Sequence, residues 1–343
     1  MIQALLAAAL FGVSAPISKA LLSEIAPVPM AALLYLGSGI GTWLLTLFQT
    51  QDAEARLTRA DAPWLLGALV AGGVAAPIIL MFSLQITPAA TAALLLNFES
   101  IATTLIAGLV CHESVGKRTW QSVVLISISS ILLSLDTQSE WGISIGALGI
   151  LAACILWGID NTSTRNISTK NPLTIVMIKG LGAGSFSLIL TLLTKQPLPS
   201  IVPLFGALLL GALSYGVGIT LYIHALRGLG AARTSALYST APFIGMLFSF
   251  ILFREVPTIQ FIVAFVVMAI GTWLLVNEKH EHIHFHPAIT HEHRHRHDDA
   301  HHIHTHTTGT ILDGDYHSHP HEHEAQEHQH PHTPDIHHRH THP

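Results

Sequence analysis

Two stretches of the chain match each other, PAATAALLLNFESIATTLIAGLVCHE at residues 88–113 and GAARTSALYSTAPFIGMLFSFILFRE at residues 230–255. At a constant offset of 142 the alanine pairs near their starts coincide, and Glu113 coincides with Glu255. Both stretches are apolar and about as long as a helix that crosses the hydrocarbon core of a bilayer. They indicate that the chain contains two copies of one helical unit.

A second match opens each copy. At an offset of 146, Phe11-Gly12 pairs with Trp157-Gly158, and the basic residue Lys19 pairs with Arg165. The first copy has phenylalanine where the second has tryptophan. The two offsets differ by four residues, which is a small difference in length between the copies.

The composition places most of the chain in a membrane. Of its 343 residues, 50% are hydrophobic and 11% are charged, and the mean hydropathy is +0.50. A soluble domain carries about 25% charged residues, so the composition argues against a soluble enzyme. The formal net charge is −5, and no nucleic-acid partner is expected, because nucleic-acid binding requires a basic face. Cys111 and Cys154 show no disulfide or zinc-ligand spacing and are interpreted as packing residues.

The hydrophobic pattern predicts ten transmembrane helices. Short polar or Pro/Gly-marked connections separate them, so neighbours should pack as antiparallel hairpins. Each copy holds five helices, an odd number, so the second copy must be inserted upside down relative to the first. The sequence thus predicts an all-α integral membrane protein with inverted five-helix repeats at 1–136 and 137–276. The predicted segments are 3–22, 29–48, 64–84, 88–110, 118–135, 142–160, 173–193, 202–224, 231–253 and 257–276.

The distribution of basic residues predicts the orientation. Cytoplasmic loops are enriched in Lys and Arg, and a cytoplasmic N-terminus places nine such residues inside and only Lys195 and Arg254 outside. The first segment has no basic residue before its apolar run, so we expect it to be a retained helix and not a cleaved signal peptide. Both termini are therefore expected in the cytoplasm, with the protein in the inner or plasma membrane of a bacterial-type cell. The nine residues are Arg56, Arg59, Lys117, Arg118, Arg165, Lys170, Arg227, Arg233 and Lys279.

The chain resembles the EamA-type members of the drug/metabolite transporter superfamily. The resemblance covers residues 1–276 and rests on the doubled opening motifs and on the two Ala/Thr-rich helices closed by Glu113 and Glu255. It implies a ten-helix carrier that exports, or sometimes imports, small metabolites through a central cavity between its halves. It does not name the substrate, because members of the family carry different compounds.

Glu99 is the main candidate for substrate binding or ion coupling. It lies in the middle of a predicted membrane helix, where an ionisable group is costly and requires a cavity or a partner. Thr103, one turn further on, and Ala92 share its helical face, and Asn97 is a weaker cavity candidate. Burial of a carboxylate favours its protonated form, which suits exchange with a proton gradient. The alternative is a structural role in a buried pair, for example with a lysine.

Other polar residues have structural interpretations beside functional ones. Lys19 and Lys179 lie near helix ends and are expected to reach the headgroups, with a pairing or substrate role as the alternative. Asp160 and Asn161 end the predicted sixth helix, where capping or an ion pair is expected. Glu113 and Glu255 are expected to support helix packing. Residues that either pack or line a pocket are Tyr215, Tyr222, Trp157 and His224.

Residues 277–343 form a different region, with 23 of the 25 histidines and a net charge of −7. This composition cannot build an apolar core, so disorder is predicted. Imidazoles bind zinc, nickel, cobalt and copper, and the tail is predicted to hold such divalent ions, whereas the body requires no cofactor. An acid-sensitive polyelectrolyte is the alternative. The candidate metal ligands are His280, His282, His284, His286, His291, His293, His295 and His297.

Three functions remain open. The first is a proton-coupled secondary carrier, in the exporting direction, for a small polar metabolite, with a metal-binding cytoplasmic tail. The second is a carrier of divalent nickel, cobalt or zinc, although the helices offer few and scattered metal ligands. The third is a membrane-tethered metal buffer or sensor, which would not need an inverted repeat. Expected partners are the lipid bilayer, the substrate and divalent metal ions, with a homodimer left open.

Overall fold

A computed structural model describes most of the membrane body and four segments of the tail. The described residues are 1–48, 55–110, 116–135, 142–167, 170–229, 237–276, 281–286, 289–295, 317–323 and 326–331.

The body is a bundle of α-helices with short connections. Prolines stand in the first turn of several of them, where a missing N–H is tolerated. The helices are α1 (Ile2–Gly12), α2 (Ser14–Leu21), α3 (Pro27–Thr46), α4 (Ala62–Ala68), α5 (Ala76–Ile86), α6 (Ala89–Leu95), α7 (Phe98–Leu109), α8 (Lys117–Ser134), α9 (Ile145–Arg165), α10 (Pro172–Leu193), α11 (Ile201–Leu210), α12 (Gly218–Leu229), α13 (Ala241–Phe253) and α14 (Ile259–Val276).

Eight helical stretches of the described residues are long and apolar enough to cross a membrane, and each coincides with one predicted segment. The other two predicted segments, 118–135 and 231–253, correspond to α8 and to the shorter apolar helix α13. That these two segments cross the membrane, which would bring the total to ten, therefore stays a prediction. The eight stretches are Ile2–Leu21, Pro27–Thr46, Arg59–Ile86, Ala89–Ile106, Ile145–Arg165, Pro172–Leu193, Ile201–Tyr222 and Ile259–Val276.

Two of the long stretches contain a π-helical insertion. The first π segment, Leu69–Ala75, joins α4 to α5, and the second π segment, Gly211–Val217, joins α11 to α12. The two segments begin 142 residues apart, at the offset of the sequence repeat. A π-helical turn widens the backbone spiral and often marks a functional region of a helix. Both segments adjoin the polar centre of the bundle described below.

Helices α3 and α10 cross with their backbones in contact. A Cβ atom added at Gly180 would lie 2.6 Å from the backbone nitrogen of Gly39, and one added at Gly39 would lie 2.5 Å from that of Leu181. Without a hydrophobic force between helices in lipid, close packing of small residues drives their association. The glycines at this crossing therefore hold the predicted halves together.

We expect Gly180→Ala to destabilise the body by about 1–3 kcal/mol, because the new methyl group meets backbone atoms that cannot move aside cheaply. Gly206→Ala is the matched control, since its methyl group would lie 3.5 Å from the flexible Cδ2 of Leu21. Thermal denaturation of the detergent-solubilised protein measures both. Equal melting temperatures for the two variants would contradict the crossing as described.

The described segments of the tail form four strands, β1 (Glu281–His286), β2 (Ile289–His295), β3 (His317–His323) and β4 (Gln326–Pro331). Strand β1 pairs antiparallel with β4, and β2 pairs antiparallel with β3. The predicted disorder is not met in these four segments. Strand pairing uses backbone N–H and C=O groups, which a polar sequence also carries, so it does not depend on an apolar core.

Candidate functional site

Glu99 lies in the first turn of α7, directly after a break that separates α6 from α7. Its partner is Asn161 of α9, whose Nδ2 donates to Oε1 of Glu99 at 2.9 Å and to Oγ1 of Thr103 at 3.1 Å. Thr103 in turn donates to the backbone carbonyl of Glu99 at 2.9 Å. These three residues form the Glu99 cluster. Glu99 is half-buried and Asn161 is exposed, so the cluster is open on one side.

An ion pair lies beside the Glu99 cluster. Nζ of Lys179 on α10 donates to both carboxylate oxygens of Asp160, at 2.7 and 2.5 Å, and Thr164 donates to one of them at 2.9 Å. Asp160 is only 4% exposed. A Cβ atom at Gly72 would collide with its carboxylate, so only glycine fits there. The pair thus joins α9 to α10 against the first π segment.

This geometry corrects two expectations for the cytoplasmic interface. Helix α9 continues to Arg165, beyond the predicted end at residue 160, so Asp160 is a buried residue and does not cap a helix end. Lys179 bonds Asp160 and does not reach the headgroups, because its ammonium finds a carboxylate within the bundle. Asp160 thus forms the ion pair that was expected of it as one of two roles, and for Lys179 the pairing alternative holds.

The backbone carbonyl of Gly72, in the first π segment, accepts two hydrogen bonds. The hydroxyl of Tyr35 donates to it at 2.6 Å, and Nε1 of Trp157 donates to it at 3.1 Å. Both side chains are 5% exposed. Trp157, which the sequence left between packing and pocket lining, therefore ties α9 to the π segment of the first half.

Aromatic rings form a row through the centre of the bundle. Their centroids are 5.7 Å apart for Tyr35 and Tyr215, 5.9 Å for Tyr215 and Phe11, 5.6 Å for Phe11 and Tyr238, and 4.6 Å for Tyr238 and Tyr222. Tyr215 belongs to the second π segment. The row therefore connects α3 with the second half of the chain.

The carboxylate of Glu99 lies within electrostatic range of this aromatic row. The carboxylate of Glu99 is close enough to Tyr35, Tyr215 and Tyr238 to interact with them electrostatically. Phenol groups offer both an apolar ring and a hydroxyl that donates and accepts. Carboxylate and phenol groups from both halves of the chain thus influence one another electrostatically.

The repeated aromatic-glycine motif positions the cluster. A Cβ atom at Gly158 on α9 would lie 3.0 Å from backbone atoms of Ala102 and Thr103 on α7. At the matching point, a Cβ atom at Gly12 would collide with the carbonyl oxygen of Ala241 on α13. Each motif therefore brings the first helix of one half against the fourth helix of the other half. This close approach places Asn161 within reach of Glu99.

Asn97, a weaker cavity candidate, lies apart from the Glu99 cluster. Its Nδ2 donates to Oγ1 of Thr272 on α14 at 2.7 Å, and both side chains are buried. Because Asn97 lies at the break between α6 and α7, this hydrogen bond connects the break to the last membrane helix, α14.

Lys19 caps the end of α5. Its Nζ donates to the carbonyl oxygens of Leu84 at 2.7 Å and Thr87 at 2.5 Å, at the end of α5. The last carbonyl groups of a helix have no partner within it and carry a partial negative charge, so an ammonium group is favourable there. This contact is a pairing role, which the sequence left as the alternative for Lys19.

Glu255 caps the start of α6 from the other half of the chain. Its two carboxylate oxygens accept hydrogen bonds from the backbone N–H groups of Ala89 and Ala90, at 2.7 and 2.9 Å. This contact agrees with the expected packing role of Glu255. The repeat-related Glu113 lies outside the described residues.

Comparisons with known proteins decide the family. The sequence profile of the EamA-like transporter family matches residues 1–135 and 144–277. The chain belongs to the EamA-like transporter family. An uncharacterized transporter of Methanothermobacter thermautotrophicus is 27% identical over 287 residues, which cover 77% of this chain and 82% of that protein. This chain is therefore an integral membrane transporter, with the bilayer as its surroundings and a small-molecule substrate.

A solved structure shares the fold of the transporter. It is titled "Crystal structure of protein", aligns with a TM-score of 0.55 at 14% identity, and covers 80% of this chain and 94% of its own. At this identity the likeness concerns the fold alone.

Metal ligation has no site in the described part of the transporter body. Among the residues whose side chains are described, no three His, Cys, Asp or Glu residues come together to hold an ion. The candidate ligands of the tail fall on β1 (His282, His284, His286) and β2 (His291, His293, His295), while His280 and His297 lie outside the described residues.

Sequence reasoning did not single out Tyr35, Gly72 and Tyr238. The Gly72-Gly73 pair in the middle of an apolar helix is a signal of close approach that could have indicated the first π segment. For Tyr35 and Tyr238 we find no local signal, because their neighbours come from distant parts of the transporter.

Proposed function

We propose that this EamA-like transporter is a secondary active carrier that exports a small polar metabolite, with Glu99 as the group that binds the coupling proton or the substrate. The supporting observation is the hydrogen bond between Glu99 and Asn161. Lys179 is bonded to both oxygens of Asp160, whereas Glu99 is bonded to a neutral amide. An ammonium partner would hold Glu99 ionised, whereas an amide tolerates both protonation states.

The same bond supports coupling between the two halves. Glu99 belongs to α7 and Asn161 to α9, on opposite sides of the proposed boundary between the inverted repeats. A ligand shifts a conformational equilibrium only if it interacts differently with the two states. Protonation of Glu99 changes a contact that crosses this boundary, so it can bias one arrangement of the halves over another.

The remaining elements of the proposal concern topology and the tail. The ten-helix inverted arrangement is supported by the two separate profile matches and by the two π segments 142 residues apart. The excess of basic residues on one side supports cytoplasmic termini in an inner or plasma membrane. The tail is proposed to bind divalent metal ions through its imidazole groups, and this binding is independent of transport.

The test is metabolite profiling of cells that produce the full chain, a chain truncated after residue 276, or no transporter. We expect one class of metabolites to fall inside the cells and rise in the medium equally for both chains, because the tail begins after the last helix. Added zinc or nickel should not change this export. Altered cellular metal content without a metabolite change would overturn the proposal and favour a metal carrier.

A further inference from the structure

The two strand pairs of the tail continue one register. In the first pair, His286 is opposite Gln326, and in the second, Ile289 is opposite His323. Two residues separate the pairs on each side of the ladder, so the pairing resumes without a shift. Strands β3 and β4 thus follow a single register along β2 and β1.

This register places histidine opposite histidine. In β1–β4, His282 is opposite His330 and His284 is opposite His328. In β2–β3, three such pairs follow each other, His291 with His321, His293 with His319 and His295 with His317. Because positions on one face of a strand repeat every two residues, the pairs of each sheet occupy one face.

The opposite faces of the two sheets carry no cross-strand histidine pair. Their register positions are occupied by acidic, hydroxyl, amide, apolar, proline and arginine residues, for example Glu292 opposite Pro320 and Phe285 opposite Glu327. The alternation of histidine with other residues therefore separates two chemically different faces. A composition that is merely rich in histidine does not require such a separation.

The spacing of these pairs suits metal coordination. Residues directly opposite each other in an antiparallel pair have Cβ atoms about 4.5–5.5 Å apart, and the next pair on the same face lies about 7 Å along the strand. Two neighbouring pairs thus place four histidine positions on one face, at the corners of a rectangle of about these dimensions. Zinc takes four nitrogen or sulfur ligands in a tetrahedral arrangement.

We infer that each tail sheet binds a divalent ion such as zinc between two neighbouring cross-strand histidine pairs. Metal binding then requires β4 to pair in register with β1, and β3 to pair in register with β2. The inference rests on the proposed metal binding of the tail and specifies its geometry. It predicts two tight sites in each chain, one on β1–β4 and one on β2–β3.

The test shifts histidines to the other face without changing composition. The β4 shift combines Glu327→His, His328→Glu, Gln329→His and His330→Gln, and it moves both histidines of β4 away from those of β1. The full-length protein in detergent is titrated with zinc against a chromophoric chelator. We expect one of the two tight sites to weaken by more than about tenfold, since losing even an outer-shell partner of a metal site costs this much.

The β1 shift exchanges His282, His284 and His286 with the residues before them, and alone it should cause the same loss. Its substitutions are Glu281→His, His282→Glu, Ile283→His, His284→Ile, Phe285→His and His286→Phe. Combined with the β4 shift, it restores two histidine pairs on the opposite face, at positions 283 with 329 and 285 with 327. The double shift should therefore recover the second tight site.

Three outcomes separate the possibilities. Loss in both single shifts with recovery in the double shift supports the register site. Identical zinc binding in all four proteins overturns it, because binding would then depend on composition alone. No tight zinc binding in the wild type would overturn the proposed metal binding itself, and the carrier proposal for the body would be unaffected.

Discussion

Glu99→Gln should leave the transporter folded and abolish its proton-coupled transport. Glutamine keeps the length of the side chain and an oxygen that can accept from Nδ2 of Asn161, so the contact between α7 and α9 can persist. The amide cannot take up or release a proton in the physiological range. Any step that depends on protonation at this position is therefore lost, while packing is retained.

The measurement uses purified protein in vesicles that contain a pH-sensitive dye, with the metabolite identified by profiling as substrate. Wild type should acidify or alkalinise the lumen when substrate is added, and Glu99→Gln should give only the background signal. Glu24→Gln is the matched control, because Glu24 is exposed in the connection before α3. Substrate-dependent proton movement in Glu99→Gln at the wild-type rate would show that Glu99 is a structural residue.

Asp160→Asn should destabilise the transporter by about 3–5 kcal/mol, the usual effect of removing one partner of a buried ion pair. Asp160 is 4% exposed, and the side chain of Lys179 is 16% exposed. Asparagine nearly preserves the volume beside Gly72, so the loss is electrostatic and not steric. The ammonium of Lys179 would remain in the bundle without its counter-charge.

The double variant Asp160→Asn, Lys179→Met separates charge from packing. Removing both charges leaves no unpaired ion, and replacing a buried pair is often close to neutral, so most of the lost stability should return. Lys195→Met, at an exposed lysine, is the control and should change little. Thermal denaturation in detergent compares these three variants with wild type. A double variant no more stable than Asp160→Asn would exclude the ion pair as the cause.

Several features followed from the sequence because they depend on local or repeated patterns. Apolar runs predicted the eight long helices, since the length of a membrane helix is set by bilayer thickness. Glu99 stood out because an ionisable residue within an apolar run is costly wherever it faces. Thr103 followed from its spacing, because residues four apart share a helix face. The repeated Phe11-Gly12 and Trp157-Gly158 motifs signalled two copies before any contact was known.

Partners across the bundle could not be predicted in this way. Asn161 is 62 residues from Glu99, and which of Glu99 and Asp160 bonds Lys179 depends on how α7, α9 and α10 are rotated about their axes. The end of α9 at Arg165 was also missed, because the helix continues past its apolar run.

The sequence by itself determined that this chain is a membrane protein with a doubled helical unit, a carboxylate within an apolar helix and a histidine-rich tail. Those features are properties of composition, period and spacing along one chain. Only the tertiary structure decided that Glu99 bonds Asn161, that Lys179 bonds Asp160, and that histidine positions of the tail strands are opposite one another in the strand register. Such pairings depend on helix rotation and strand register, which are set by packing and backbone hydrogen bonds between segments far apart in the sequence.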